Sequence, residues 1–328
     1  MVSYRHIRPY LSEVERAMRT QLRREDERTY GMLPSFLSRG GKRIRPALTM
    51  LCCGAVGGYY TDAVEPSAIL ELFHNFTLVH DDIEDGAEFR RGEPALHVAH
   101  GIPIALNSGD ALYTLLWKDL VNLNMEPSRL VKLQKLYAES FKRVVEGQGI
   151  ELYWIKEGKF DISEKEYYEM IEGKTSALTG LSCELGAFLG NADKDLKKSL
   201  REYGELLGTA FQIQDDVLNV TGDFKTYKKE IGGDIREGKR TIMVVHCLKN
   251  ASKADKKKLV STLSSDTKTK DDIQAVIELF RKHGSIEHAQ AKARLLAEEA
   301  KEHLEGLSPS KDKDTLLELG DYVVSRKS

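Results

Sequence analysis

Proline placement constrains this chain more than any other feature. The eight prolines stand at positions 9, 34, 46, 66, 94, 103, 127 and 309, so the run from Leu130 to Leu307 contains none. A proline inside a helix removes a hydrogen bond and clashes with the preceding turn, at a cost of about 3 kcal/mol or more. More than half of the chain is free of that obstacle. Apolar residues recur at helical spacing, as at Ile69, Phe73, Phe76, Val79 and Ile83 after a start at Pro66-Ser67, and at Leu112, Leu115 and Leu116 after Gly109. Helical signals continue through 130–147, 163–190, 195–221, 239–250 and 286–305, with glycine-bearing breaks at Gly147, Gly190 and Gly222. Strand-type alternation is not sustained. The expectation is an all-α protein, a large helical bundle forming a single domain over residues 1–328. Lys249 to Asp272, rich in Lys, Ser, Thr and Asp, reads as a solvated helical hairpin on its surface.

Charge excludes some partners. With 49 basic and 51 acidic side chains the net charge is -2, so no whole-chain attraction to nucleic acid or anionic membrane is expected, and anion chemistry must come from local clusters. Four cysteines form no CxxC pair, which argues against a disulfide framework or zinc site and for the reducing cytoplasm. Arg5, Arg8, Glu13, Glu15 and Arg16 interrupt the N-terminal segment where a signal peptide needs an apolar run, and no window suits a membrane span.

Two acidic clusters stand out. His80-Asp81-Asp82-Ile83-Glu84-Asp85 places four carboxylates in five positions at the end of a predicted helix. Like charges one turn apart cost roughly 0.2–0.5 kcal/mol per pair, and a helix C-terminus is the wrong end for anions. A bound cation reverses that cost. Asp81 and Asp85, four residues apart, share a helix face at about 6 Å along the axis, a spacing suited to hard ions such as Mg²⁺ that also take phosphate oxygens. Phe211-Gln212-Ile213-Gln214-Asp215-Asp216 repeats the doublet in a second apolar stretch. Either cluster alone could be a solvated helix surface; together they suggest facing walls of a metal-diphosphate cavity. A di-iron bundle would need Glu-x-x-His pairs, which neither doublet has.

Basic patches flank both: Arg39-Gly40-Gly41-Lys42-Arg43-Ile44-Arg45-Pro46, Arg90-Arg91-Gly92, and Lys228-Lys229 through Gly238-Lys239-Arg240. Glycine beside Lys and Arg lets backbone N–H groups and side chains converge on a polyanion. No GxxxxGK[ST] and no GxGxxG after a strand is present. A diphosphate substrate is the reading that uses both sets.

At this point GGKRIRP at 40–46, HDDIED at 80–85, FRRGEPALH at 89–97, EGKTSAL at 172–178, FQIQDD at 211–216 and GGDIREGKRT at 232–241 identify a family. The chain resembles a trans-isoprenyl diphosphate synthase of the short-chain type, most like archaeal-type geranylgeranyl diphosphate synthases. The resemblance implies the isoprenoid synthase fold with a deep central cavity, a homodimer, Mg²⁺ as cofactor, and addition of isopentenyl diphosphate to an allylic diphosphate. It implies that Asp81 and Asp85, supported by Asp82, hold metal from the first wall, and Asp215 with its neighbour Asp216 from the second. Arg90, Lys174, Lys229 and Lys239 would hold the allylic diphosphate; Lys42, Arg45, His74 and Arg91 the isopentenyl diphosphate; Thr175 and Gln212 would face the reacting carbons. Asn219 stands where many relatives have a third Asp, and Lys228 where Gly is common.

Product length is expected to depend on the helix before Asp81. At ~1.5 Å per residue, positions five to twelve before Asp81 lie roughly 7–18 Å below the diphosphates, and Phe73 and Phe76 fall there, with Thr77 pointing more directly inward. Thr77, Phe76 and an uninserted DDIED match the pattern of twenty-carbon synthases. A farnesyl diphosphate synthase is the alternative within the family. A class I terpene cyclase would lack the need for GGKRIRP, and an inactive regulatory subunit would have lost an Asp motif or the Lys-Arg set.

Overall fold

A computed structural model describes residues 5–22, 26–222 and 231–326; Lys228 and Lys229 lie outside the described residues. In chain order the helices are α1 (Arg8–Leu22), α2 (Glu27–Tyr30), α3 (Leu33–Ser38), α4 (Ile44–Ala55), α5 (Tyr60–Glu84), α6 (Leu96–His100), α7 (Ile102–Val121), α8 (Pro127–Lys156) and α9 (Glu164–Ile171). A π-helical turn, Glu172–Ser176, leads into α10 (Ala177–Leu189), followed by α11 (Lys194–Thr221), α12 (Gly233–Glu237), α13 (Ile242–Asn250), α14 (Lys253–Leu263), α15 (Lys270–Lys282), α16 (Ser285–Glu302) and α17 (Lys311–Ser325). Between α5 and α6 lies one small hairpin, β1 (Phe89–Arg90) against β2 (Glu93–Pro94). Among the described residues the protein is all-α apart from those four.

Side chains at the helix starts explain several boundaries. Glu126 accepts from the N–H groups of Ser128 and Arg129 ahead of Pro127, Ser163 and Glu166 form a reciprocal capping box, and Asp193 accepts from the Leu196 N–H. Helices α10 and α11 end at Gly190 and Gly222, as expected. Several boundaries differ from expectation. Helix α5 starts six residues before Pro66, because the proline frees only the Asp62 carbonyl, on an exposed turn. Helix α8 runs straight through Gly147, where the missing side chain admits a neighbour rather than ending the helix. A Cβ there would lie 2.1 Å from the Lys174 backbone nitrogen. Helix α13 begins at Ile242 rather than 239, because Gly238, at φ 72°, ends α12 in the left-handed region.

Two apolar cores adjoin. The first gathers Leu48, Leu51, Ile69, Leu72, Phe73, Leu112, Leu181 and Leu207, among others; the second holds Trp154, Tyr167, Ile213, Val217, Met243, Val276 and Phe280. Helix α11, about 42 Å long at 1.5 Å per residue, crosses both: Leu200, Tyr203, Leu207 and Ala210 lie in the first, Ile213, Val217 and Val220 in the second. Its acidic doublet sits just past the junction.

Candidate active site

The first wall is the C-terminal turn of α5. Asp82 is 1 % exposed, and its Oδ1 accepts from Arg90 Nε at 2.7 Å and from the Arg90 NH2 group. Arg90 is aimed by the hairpin, whose two-residue turn holds Arg91 at φ 56° and Gly92 at φ 82°, the positive values a tight hairpin demands. Burial raises the Asp82 carboxyl, with Arg90 opposing the rise. Burial also pushes Asp81 up to about 6, Asp85 adding to it against the pull of Lys174, Lys239 and Arg90.

The second wall is the middle of α11. Gln212 is fixed at both ends: Thr175 Oγ1 donates to its Oε1 at 3.2 Å, and its Nε2 donates to Asp216 Oδ1 at 2.8 Å. The Tyr167 hydroxyl donates to Asp216 Oδ2 at 3.3 Å. Asp216 is buried, and burial together with Asp234 and Asp215 moves its carboxyl well above the usual range against the Gln212 bond. Asp215 is partly exposed and paired with Arg326 at 3.1 Å. Asn219 serves the chain itself: its Oδ1 accepts from the Asp234 N–H at 3.2 Å and its carbonyl from the Gly232 N–H at 2.8 Å, holding the turn into α12.

Lysines join the walls. Lys239 follows the α12 turn, its backbone N–H bonded to the Asp234 carbonyl, and its Nζ reaches Asp85 Oδ2 at 2.9 Å and Glu237 at 2.5 Å. Burial opposes its charge, but Asp85 and Glu237 outweigh that and raise its pKa. Lys174 lies in the π turn and contacts Glu151 Oε2 at 2.5 Å; Glu151 and Asp81 likewise outweigh its burial. The π turn is fitted into α8: a Cβ on Gly173 would lie 2.8 Å from the Arg143 carbonyl and 2.9 Å from Gly147 Cα. Glycine on both sides lets the backbones touch, and the widened turn carries Lys174 and Thr175.

A basic basin adjoins the first wall. His74 is kept neutral by burial and by the nearby guanidinium groups of Arg45 and Arg91. A side chain on Gly41, whose φ is 146°, would meet Arg91 at 3.3 Å, so the glycine loop and the hairpin turn converge. Arg45 Nε and Arg91 NH1 are buried without a protein partner, as donors awaiting an anion would be. Lys42 is exposed, with Nζ 5.9 Å from the Tyr322 ring centroid. Arg43 in the same motif is instead structural: at φ 48° it turns inward to Glu71 at 2.8 Å, Glu15 at 3.1 Å and the Leu37 carbonyl.

Below the first wall the rings of α5, α7 and α8 interlock. Phe73 is fully buried and stacks on Phe141 at 3.6 Å. Phe76, partly buried, lies 5.1 Å from Tyr113 and 4.6 Å from His80, and Trp117 meets both Tyr113 and Phe141. Thr77 Oγ1 donates to the His74 carbonyl. Clefts at Glu15–Arg43 and at Tyr10–Asp312 are lined by none of the site residues.

Glu151, Tyr167 and Arg326 lie outside the sequence motifs, and Glu237 lies within GGDIREGKRT without a role assigned to it there. Glu151 could have been found: it stands four residues after Gly147, on the helix face that meets the π turn. Arg326 is far from every motif and carried no signal.

The donors suit a hard divalent cation. They are all carboxylate oxygens, and Asp82 Oδ2 is buried without a protein partner. Among the described residues no three His, Cys, Asp or Glu side chains converge as a ready-made cage; an ion held by one or two carboxylates and completed by phosphate oxygens needs none.

The polyprenyl synthetase family model matches residues 26–280. The short chain isoprenyl diphosphate synthase of Methanothermobacter thermautotrophicus is 39 % identical over 89 % of this chain and 88 % of its own. The geranylgeranyl pyrophosphate synthetase of Pyrococcus horikoshii superposes with a TM-score of 0.91 at 33 % identity, covering 98 % of this chain and 97 % of that one. A polyprenyl synthase of Caulobacter crescentus, complexed with calcium and isoprenyl diphosphate, superposes with a TM-score of 0.90 at 27 % identity, over 99 % and 97 % of the two chains. Relatives are named as both geranylgeranyl and geranylfarnesyl diphosphate synthases, so kinship leaves product length open. With two acidic walls, a basic basin and these relatives, the chain belongs to the polyprenyl synthetase family of prenyltransferases.

Proposed function

We propose that this protein adds isopentenyl diphosphate to an allylic diphosphate with Mg²⁺ as cofactor, and that its main product is geranylgeranyl diphosphate. The observation that carries the reading is the Lys239–Asp85 ion pair, which brings the loop after the second motif onto the first acidic wall. Asp81, Asp82 and Asp85 on one side and Asp215, backed by Asp216, on the other would hold the metal. Bound there, Mg²⁺ supplies charge that stabilises the departing diphosphate. Arg90, Lys174 and Lys239, and by family resemblance Lys229, donate to the same diphosphate as the allylic C–O bond breaks with its electron pair. Neutral His74 with Lys42, Arg45 and Arg91 holds the isopentenyl diphosphate, whose double bond attacks the allylic carbon. The oxygens of Thr175 and Gln212 face the positive charge. Loss of a proton to the released diphosphate restores a double bond.

No described helix is long and apolar enough to cross a membrane, and four free, buried cysteines accord with a cytoplasmic enzyme acting as a single domain. Exposed Ile102, Leu106, Tyr113 and Val121 along α7 support a homodimer through that face, which sedimentation analysis would test. The decisive assay feeds labelled isopentenyl diphosphate with dimethylallyl, geranyl or farnesyl diphosphate and resolves products by chain length, with and without chelator. A twenty-carbon product that disappears with EDTA is expected. Full activity in EDTA would falsify the metal role, and a fifteen-carbon end point would favour the farnesyl alternative.

A further inference from the structure

The C-terminal end of α17 reaches the second wall. Arg326 is 6 % exposed, a degree of burial that an arginine reaches only when it is paired. Its NH2 group lies 3.1 Å from Asp215 Oδ1 and donates to the Phe211 carbonyl at 2.9 Å. Its guanidinium lies 3.9 Å from the Phe211 ring centroid, and its own carbonyl accepts from Gln214 Nε2 at 3.5 Å. Residues 211, 214 and 215 lie three and four apart on α11, so one arginine reads a single helix face. Its backbone N–H is bonded to the Tyr322 carbonyl at 3.0 Å, which fixes where the side chain starts.

We propose that Arg326 is a positioning residue for the second acidic wall, orienting the Asp215 carboxylate for the metal-diphosphate complex. The proposal rests on the reading of Asp215 as a metal ligand. Stacking on a ring fixes the plane of a guanidinium, and a fixed plane fixes the direction of its N–H bonds. Because Arg326 is also held by Phe211 and the backbone, its place does not depend on Asp215, and it does not need to leave when a cation arrives. A carboxylate offers about four acceptor sites, so engagement of Oδ1 leaves room for a metal. The last helix turn thereby becomes part of the site's support, although no catalytic motif lies near it.

The test measures Mn²⁺ binding in the presence of inorganic diphosphate, from loss of the free-Mn²⁺ EPR signal, on the full chain. Arg326→Gln should weaken binding about five- to tenfold, Arg326→Lys less, and Asp215→Asn at least as much as Arg326→Gln. In the Asp215→Asn background Arg326→Gln should add nothing, since its effect travels through that carboxylate. If Arg326→Gln does not fold, Arg326→Lys still decides: a two- to fourfold weakening at unchanged Tm supports the proposal, and wild-type binding overturns it. Unchanged or tighter binding by Arg326→Gln, with Asp215→Asn weakened, overturns the positioning role alone. Unchanged binding by Asp215→Asn overturns the metal reading of Asp215 and the proposal with it.

Discussion

At the scale of single residues, the site depends on side chains that hold other side chains. Glu151 is the clearest case: 6 % exposed and 2.5 Å from Lys174, it fixes an ammonium that would otherwise search several rotamers. Glu151→Gln keeps an acceptor but removes the counter-charge. We expect kcat to fall ten- to a hundredfold while Tm moves by only a few degrees, read from steady-state kinetics and a melting curve. A proposed metal ligand should matter more, and Asp81→Ala should lower kcat by several orders of magnitude. The two diphosphate sites should also separate: Lys42→Ala should raise KM mainly for isopentenyl diphosphate and Lys239→Ala mainly harm the allylic partner, whereas equal effects on both would count against two sites.

Residues legible in the sequence were those whose type is costly without a partner. Clustered carboxylates and glycine-flanked cations advertise themselves, so Asp81, Asp82, Asp85, Asp215, Arg90, Lys174 and Lys239 could be singled out. Arg43 shows the limit. It is one of three cations within four positions of the loop, and only its left-handed backbone turns it toward Glu71 rather than the basin. Nothing in the residue type distinguishes it from Lys42 or Arg45.

At the scale of elements, helical periodicity gave the helices but not their irregularities. The segment 163–190 reads as one helix because its apolar pattern never stops, yet α9 and α10 are joined through a π turn set by contact with α8. That contact is long-range and cannot be seen in a local window. Gly147→Ala should therefore be severe: its Cβ would sit 2.1 Å from a backbone nitrogen, and overpacking of this kind costs about 1–3 kcal/mol or more. A lowered Tm with a larger loss of kcat is expected; a wild-type melting curve would show that the two backbones can part freely. The ring cluster on α5, α7 and α8 makes the product-length prediction concrete. Phe76→Ala removes a ring packed between Phe73 and Tyr113 and should allow products beyond twenty carbons, while Thr77→Phe should shorten them toward fifteen. An unmoved product distribution in both variants would remove α5 as the ruler.

At the scale of the whole molecule, the two cores share α11, and the acidic doublet sits where that helix has just entered the second. Surface charge adds a pH dependence that can be located. Lys159, with the N–H and hydroxyl of Ser163, holds Glu166 down to about 2. A depressed carboxyl contributes stability above its unfolded value near 4.5, and that contribution is lost as pH falls from there toward 2. Urea midpoints should drop across this window, and Glu166→Gln should flatten part of the fall. The thiols behave oppositely: burial pushes Cys53 up to about 12 and Cys247 up to about 11, so folded protein at pH 8 should resist alkylation that the unfolded chain undergoes readily.

The Lys239–Asp85 pair has a consequence for turnover. At that pair a carboxylate of the first wall already balances the ammonium proposed to engage the allylic diphosphate. On the proposed mechanism substrate arrival is, at this pair, an exchange rather than a simple capture: Lys239 trades Asp85 for a phosphate oxygen, and the freed Asp85 carboxylate becomes available to a metal. The same trade runs backwards once diphosphate is the leaving product, because Lys239 can pair with Asp85 again. A polyanion gripped only by unpaired cations would bind too tightly to depart. Internal counter-ions keep the affinity moderate, so an enzyme that must release one diphosphate at every cycle can also let it go.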